Sequence, residues 1–289
     1  MHMMIALRFF ATGSFQEVIA DTFGVSKGTV CTVIHKVSQV LVASMEQYVK
    51  FDKQEQTEAT KRKFFNMNPG FAGVIGCIDC THVKIIAPSN FEGIYVNRKG
   101  FHSINVQLIC DADMKILNVV ASDPGSFHDA FILRQSAVFP AFEDPNGPPL
   151  TGHLLGDSGY MLRPWLLTPY INPRGRTQER FNFAHSSTRA TIERCNGVLK
   201  RRWHCLHGEL RYSPNKACKI IGACVVLHNI CLRLPVPQNC CNVGCVHDDH
   251  NDSIPDRACQ EEQPQPRRLI QEGNAAAARN TFADAYFGR

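Results

Sequence analysis

Gly73-Val74-Ile75-Gly76-Cys77-Ile78-Asp79-Cys80-Thr81-His82-Val83 is the stretch whose reading decides the fold. Its first six residues are small or apolar and rich in β-branched side chains, which predicts a buried strand. Asp79 then breaks the apolar run. A carboxylate embedded there is costly unless something compensates its charge, so this position is expected to carry chemistry. Val83-Lys84-Ile85-Ile86 continues the strand-like pattern until Pro88 stops it. Further along, His102 to Cys110 and Lys115 to Ala121 read as two strands. Asp111-Ala112-Asp113-Met114 is the turn between them. Leu154-Leu155-Gly156 is a short strand after the Pro/Gly-rich stretch from Pro140 to Gly152. Helical spacing marks His128 to Ala137, Ser187 to Trp203 and Asn215 to Leu234. Strands first and helices later predict an α/β fold, a mixed sheet covered by helices, over residues 64–234. Residues 1–63 lack Pro and read as a small all-α region. From residue 235 to 289, Pro, Asn, Gln and acids dominate, so that segment is expected to be a largely disordered tail.

The chain has 289 residues, of which 44% are hydrophobic and 20% charged, the balance of a globular protein. The longest apolar run, Ile220 to Leu227, is far shorter than the ~18 residues that read as a membrane span. Met1-His2-Met3-Met4 has no basic stretch and Arg8 interrupts the first apolar segment, so no secretory signal is expected. Thirteen scattered cysteines then read as reduced thiols, which fits the nucleus or the cytoplasm and excludes a disulfide scaffold. Charge is uneven: 26 basic against 18 acidic residues lie before residue 236, and 5 against 8 after it. The basic part suits a polyanionic partner such as DNA.

Phe15 to Val37 carries Ala20, Gly24, Val30 and Val33 at the offsets of a helix-turn-helix. A small residue allows close approach, glycine takes the turn, and two branched residues fill the gap. Ser26 is placed to cap the second helix. The exposed face, with Lys27, Thr29, Thr32, His35 and Lys36, is expected to meet a DNA groove.

Four acids are placed for convergence. Asp79 sits in a strand, Asp129 opens a helix, Asp157 follows the short strand, and Glu193 lies inside the helix from Ser187. This is the plan of ribonuclease-H-like nucleases, in which such acids hold two divalent ions ~3.5–4 Å apart. Oxygen-only ligands suit Mg²⁺ or Mn²⁺.

The motifs on which this plan is built also resemble a family: the PIF/Harbinger DDE transposases, and in particular the Harbinger transposase-derived nucleases. They are Gly-Ser-Phe-Gln (13–16), Ile-Asp-Cys-Thr-His-Val (78–83), Tyr-Val-Asn-Arg-Lys-Gly-Phe-His-Ser (95–103) and Pro-Gly-Ser-Phe-His-Asp (124–129). Leu-Leu-Gly-Asp-Ser-Gly-Tyr (154–160), Ile-Glu-Arg (192–194), Leu-Lys-Arg-Arg (199–202) and Val-Leu-His-Asn (226–229) follow in order. Thirty-five residues separate Asp157 from Glu193, the DD35E spacing. The resemblance implies that Asp79, Asp157 and Glu193 are the catalytic triad of a metal-dependent endonuclease, with Asp129 a fourth metal-associated acid. It also implies a nuclear role and a Myb-like DNA-binding partner protein, and it allows a homo-oligomer. Members of the family usually carry more residues before the helix-turn-helix, so the chain is expected to be short at that end. Where an aromatic residue often precedes Pro-Gly-Ser, this chain has Asp123.

Basic residues complete the expected site. Asn196 and Lys200 share the helix face of Glu193, and with Arg201 and Arg202 they are expected to hold the scissile phosphate. Asn97, Arg98 and Lys99 suit contacts to the DNA backbone. His82 and His128 flank the acids as hydrogen-bonding neighbours, and His228 reads as a core histidine. Gly156-Asp157-Ser158-Gly159 matches the nucleophile motif of trypsin-like proteases, but the disulfide-bonded setting of that class is missing. Cys77 and Cys80 have no second pair at zinc spacing, and Cys240, Cys241, Cys245, His247 and Cys259 in the tail are read as incidental. Two rival readings are a DNA-binding regulator that lost its chemistry and a transposase still serving an element.

Overall fold

The computed structural model describes residues 1–51, 57–144, 152–234 and 266–288. Along the chain run α1 (His2–Thr12), α2 (Gln16–Phe23), α3 (Lys27–Ala43), α4 (Met45–Tyr48) and α5 (Thr57–Phe65), then β1 (Val74–Lys84) and α6 (Glu92–Tyr95). Strands β2 (Ser103–Cys110) and β3 (Ile116–Pro124) form the expected hairpin, followed by α7 (Asp129–Gln135) and α8 (Val138–Glu143). Next come β4 (His153–Leu155), β5 (Leu166–Leu167), α9 (Gly175–Arg202), α10 (Pro214–Arg233) and α11 (Pro266–Phe287). The Pro/Gly-rich stretch 140–152 lies in part outside the described residues, and its first residue falls within α8.

The sheet order is β3-β2-β1-β4-β5. β1 and β2 pair antiparallel, as do β2 and β3, whereas β1–β4 and β4–β5 are parallel. This mixed sheet with flanking helices is consistent with the ribonuclease-H-like plan. Side chains alternate between two cores, as the pleat requires. Val74, Cys77, Leu108 and Leu155 face the larger core with α9 and α10, while Ile75, Ile78, Ile109 and Leu154 face the smaller one with α7 and α8.

Val-Leu-His-Asn (226–229) has a structural role. The Asn229 carboxamide accepts from the Ile116 amide at 2.9 Å and donates to the Ile116 carbonyl at 2.7 Å, fastening α10 to β3. His228 is fully buried and bonds the Met114 carbonyl through Nε2 at 2.9 Å. By length and composition α10 is apolar enough to cross a membrane, yet here Ile220 to Asn229 are all buried within the fold.

In the N-terminal region, Gly24 takes a left-handed φ of 62° between α2 and α3, and the Ser26 hydroxyl accepts from the Thr29 amide at 3.1 Å. Ala20, Val30 and Val33 are buried where the two helices meet. These helices do not pack apart from the sheet: Ile5, Phe9, Phe10, Val30 and Ile34 belong to the larger core.

Two boundaries differ from the sequence reading. Helix α9 begins at Gly175 rather than Ser187, because Phe181, Ala184, His185 and Thr188 repeat at helical spacing beneath a polar exterior. The tail expected to be disordered holds α11. Its Ala275 and Ala283 are buried, and Phe282 and Phe287 lie with ring centroids 5.3 and 5.5 Å from Phe71. Arg279 donates from Nη1 to the carbonyls of Thr168 and Pro169 and stacks 3.8 Å over the Tyr170 ring. Its apolar residues are mostly alanine, which leaves little periodic signal; aromatic residues at its end dock it. The rest of that tail, with Cys240, Cys241, Cys245, His247 and Cys259, lies outside the described residues.

Phe71 is fully buried and touches Phe181 of α9 as well as α11. Phe71→Ala is therefore expected to cost about 3–5 kcal/mol in urea unfolding, and the half-exposed Phe282→Ala clearly less. Equal costs would contradict this placement of α11.

Candidate active site

The acids meet at one end of the sheet. Cys77 on β1 pairs in parallel with Leu155 on β4, so two residues further along both chains Asp79 and Asp157 emerge side by side. Period-two alternation puts Asp79 on the Cys77 face, toward α9, and α9 supplies Glu193. Residues 74–78 are buried, while the strand opens to partial exposure at 79–82.

Asp129 arrives from the other side, at the start of α7. Its Oδ1 accepts from Asn105 Nδ2 at 3.1 Å, and Asn105 also donates to the Phe127 carbonyl at 2.9 Å. Gly125 allows this loop to dock: a Cβ there would stand 2.2 Å from Ser103 Oγ and 2.7 Å from the Tyr95 carbonyl oxygen. Asp157 Oδ1 accepts from the Gly159 amide at 3.0 Å. The point where a Gly159 Cβ would stand is 3.1 Å from Asp157 Oδ1 and 3.7 Å from Asp129 Oδ2, so these two carboxylates are near neighbours.

Electrostatics record the crowding. Burial pushes the Asp79 carboxyl up to about 7; Arg189 opposes this, and Asp157, Asp129 and Glu193 each reinforce it. Asp157 is also raised, by burial first and then by Asp129, against the Gly159 amide, Arg189 and Arg98. Among the described residues, no three His, Cys, Asp or Glu side chains form a ready-made ion cage. Arg189, which the sequence reading missed, stands among these acids. Its Nη1 lies 3.7 Å from Asp79 Oδ1 and its Nη2 donates to Glu193 Oε1, so a guanidinium stands between two of the acids. Its place four residues before Glu193 was the available signal.

The remaining predicted residues fall into two groups. Asn196 and Lys200 do point at the site, though toward β1: Asn196 Nδ2 donates to Asp79 Oδ2 at 3.0 Å and Lys200 Nζ to the His82 carbonyl at 2.8 Å. Burial lowers the Lys200 ammonium to about 8, with Asp79 opposing. Arg98 is exposed and near enough to affect Asp157, and Lys99 beside it is exposed. Asn97 is not a backbone-contact residue: it is buried, its Oδ1 accepts from the Lys99 and Phe101 amides, and its Nδ2 donates to Ser103 Oγ. Ser103 Oγ also hydrogen-bonds His82 Nδ1 at 3.0 Å, which fixes the ring. Burial lowers the His82 pKa, and Asp129 opposes. Arg201 is exposed, and Arg202 is half-buried. Asp123 does not join the acids; it is buried on β3, bonded to Ser122 and felt by Cys218 of α10. On the N-terminal helices Lys36 is exposed, but Lys27 is paired with Glu17 at 2.8 Å.

A raised carboxyl pKa means the folded chain holds a proton that the unfolded chain has released, so the metal-free fold loses stability as pH climbs from about 4 to about 7. His153 and His185, both lowered to about 4 chiefly by burial, slope the other way over most of this range. The clean comparison is therefore a difference. Asp79→Asn should gain on wild type by up to ~1.4 kcal/mol for each whole step in pH between these limits, then level off. A constant difference across pH 4–8 would contradict the site's charge balance.

Residues 78–229 match the family model described as DDE superfamily endonuclease. Over 234 residues the chain is 38% identical to "Putative nuclease HARBI1" of Xenopus laevis, covering 80% of this chain and 67% of that protein. Against the Homo sapiens protein of the same name it is 39% identical over 234 residues, covering 80% and 66%. "Protein ALP1-like" of Arabidopsis thaliana is 31% identical over 252 residues, covering 80% and 60%. The chain thus spans about two thirds of the length of the nuclease-named relatives. No solved structure matches it.

Proposed function

The chain belongs to the DDE superfamily endonucleases, and from that premise we propose that it is a divalent-metal-dependent DNA endonuclease hydrolysing phosphodiester bonds. The observation that carries this reading is the meeting of Asp79, Asp157, Asp129 and Glu193 at one end of the sheet, with more negative charge than Arg189 alone offsets. An all-oxygen donor set beside a desolvated carboxylate fits a hard cation, Mg²⁺ or Mn²⁺. Asp79, Asp157 and Glu193 would hold it, with Asp129 contributing to a second ion. When bound, the ions supply Lewis-acid stabilisation of charge at the scissile phosphate.

The chain's own groups do the rest. Arg98, Lys99 and Lys200 bring positive charge near the acids that suits the DNA phosphates. Lys200, set near neutral by burial, keeps its ammonium against the His82 carbonyl, from which it can reach a phosphate oxygen. His82 is fixed through its Nδ1 hydrogen bond to Ser103, which Asn97 holds in turn. Arg201 and Arg202 extend the phosphate contacts beyond the site, and α2–α3 act as a helix-turn-helix with Lys36, Thr32 and His35 toward DNA. A nuclear location and a Myb-like protein partner belong to the same reading. The rival, a DNA-binding regulator without chemistry, draws support from Arg189, which already neutralises part of the acid cluster.

Nicking of supercoiled plasmid with Mg²⁺ or Mn²⁺ separates the two. Wild type should cut, and Asp79→Asn should lose at least about two orders of magnitude, the scale of removing a main electrostatic group. Cutting that survives the substitution contradicts the metal reading, and DNA binding without cutting by wild type favours the regulator. In DNA-affinity measurements against salt, the Arg201→Ala/Arg202→Ala double variant should flatten the log–log slope by up to ~1.8, about 0.9 per phosphate contact. An unchanged slope removes these two residues from the DNA path.

A further inference from the structure

Arg189 occupies a particular place among the acids. It lies one turn before Glu193 on α9, and its forked guanidinium spends one nitrogen on Asp79 Oδ1 and another on Glu193 Oε1. Asp79's second oxygen is taken by Asn196 Nδ2 at 3.0 Å, so both of its oxygens are engaged by α9. The Arg189 and Asp79 side chains are each 18% exposed, whereas Glu193 is 52% exposed. The guanidinium is therefore lodged inside the cluster, while one of its two partners sits at the rim and is free to turn.

A guanidinium cannot shed its charge to make room, since arginine stays protonated in proteins. Nor can it share these oxygens with a divalent ion. Nη2 donates to Glu193 Oε1 while Nη1 stands in ion-pair contact 3.7 Å from Asp79 Oδ1, so the two oxygens are spread around the planar fork, whereas an ion such as Mg²⁺ needs oxygens at ~2.0–2.1 Å from one centre. One of the two cations must go. An (i, i+4) ion pair with a half-exposed glutamate is screened by solvent, so the hold on Glu193 is weak. The long side chain of Arg189 lets the charged head move while its Cα stays in the helix.

We infer that Arg189 is an internal counter-cation that holds Asp79 and Glu193 together without metal, competes with the divalent ion for them, and swings out when the ion binds. This rests on the metal-dependent reading proposed above and adds to it a residue that sets metal affinity from inside the site. Arg189 is in this sense a positioning residue: it acts on the acids and touches no reacting atom. A residue that merely braced the acids would show the opposite sign, because its removal would let them splay and weaken ion binding.

Calorimetric titration of Mn²⁺ into the full chain without DNA tests this by binding alone. Arg189→Gln is expected to bind Mn²⁺ about 10-fold more tightly than wild type. Arg189→Lys, whose single ammonium cannot fork to both acids, should show a smaller gain and serves if the glutamine variant fails to fold. Asp79→Asn should abolish the binding. If Asp79→Asn abolishes binding but the Arg189 variants bind Mn²⁺ equally or more weakly, the counter-cation role is overturned while the metal reading stands. If Asp79→Asn binds like wild type, or neither wild type nor the Arg189 variants bind, the metal reading fails and this inference falls with it.

Discussion

Like charges brought together at a partly dry end of a sheet are the constraint on which the rest of this structure depends. Carboxylates drawn from strand, loop and helices would drive one another apart unless the scaffold held them, and the scaffold is built to do so. β1 and β4 run parallel in register, fixing Asp79 beside Asp157. Asn105, buried on the adjacent β2, fixes Asp129. α9 packs on β1 and sends Glu193, Asn196, Lys200 and Arg189 to the same place. The repulsion is balanced by cations of two kinds, fixed ones on α9 and the 97–99 loop, and a divalent ion under the proposed function.

Helices outside the sheet serve the same end. α10 fastens the hairpin edge through Asn229, which also donates to the Tyr48 carbonyl and so ties the N-terminal helices to that edge. α3 packs on α10, placing the exposed Lys36 face on the rigid body that carries the acids. α11 closes on Phe71 and Phe181 and buttresses α9 near its start. Rigid support of this sort matters because misplacing a catalytic group by about 1 Å is enough to cost orders of magnitude in rate.

Much of this was legible in the sequence, for identifiable reasons. A charge inside an apolar strand announces itself, so Asp79 stood out without any partner in view. The hairpin was readable because Asp111 to Met114 breaks two strong strand patterns, and Asp111 Oδ1 indeed accepts from the Asp113 and Lys115 amides. The long-range pairings were not readable. Nothing local says that Asn97 would turn inward to hold its own loop, or that Arg189 would reach across to a strand more than a hundred positions earlier. β5 is two residues long and exists only through its pairing with β4. α11 escaped because composition, which marked the segment as polar, does not register a few aromatic residues that find a ready-made apolar notch.

The central claim is that these acids converge in order to hold a cation, and anomalous scattering from Mn²⁺-soaked crystals tests it most directly. Peaks within ~2.0–2.2 Å of carboxylate oxygens from Asp79 and Asp157, with the Arg189 guanidinium displaced, are the predicted result. Manganese absent from this end of the sheet at saturating concentration, with Arg189 still bridging Asp79 and Glu193, would contradict it.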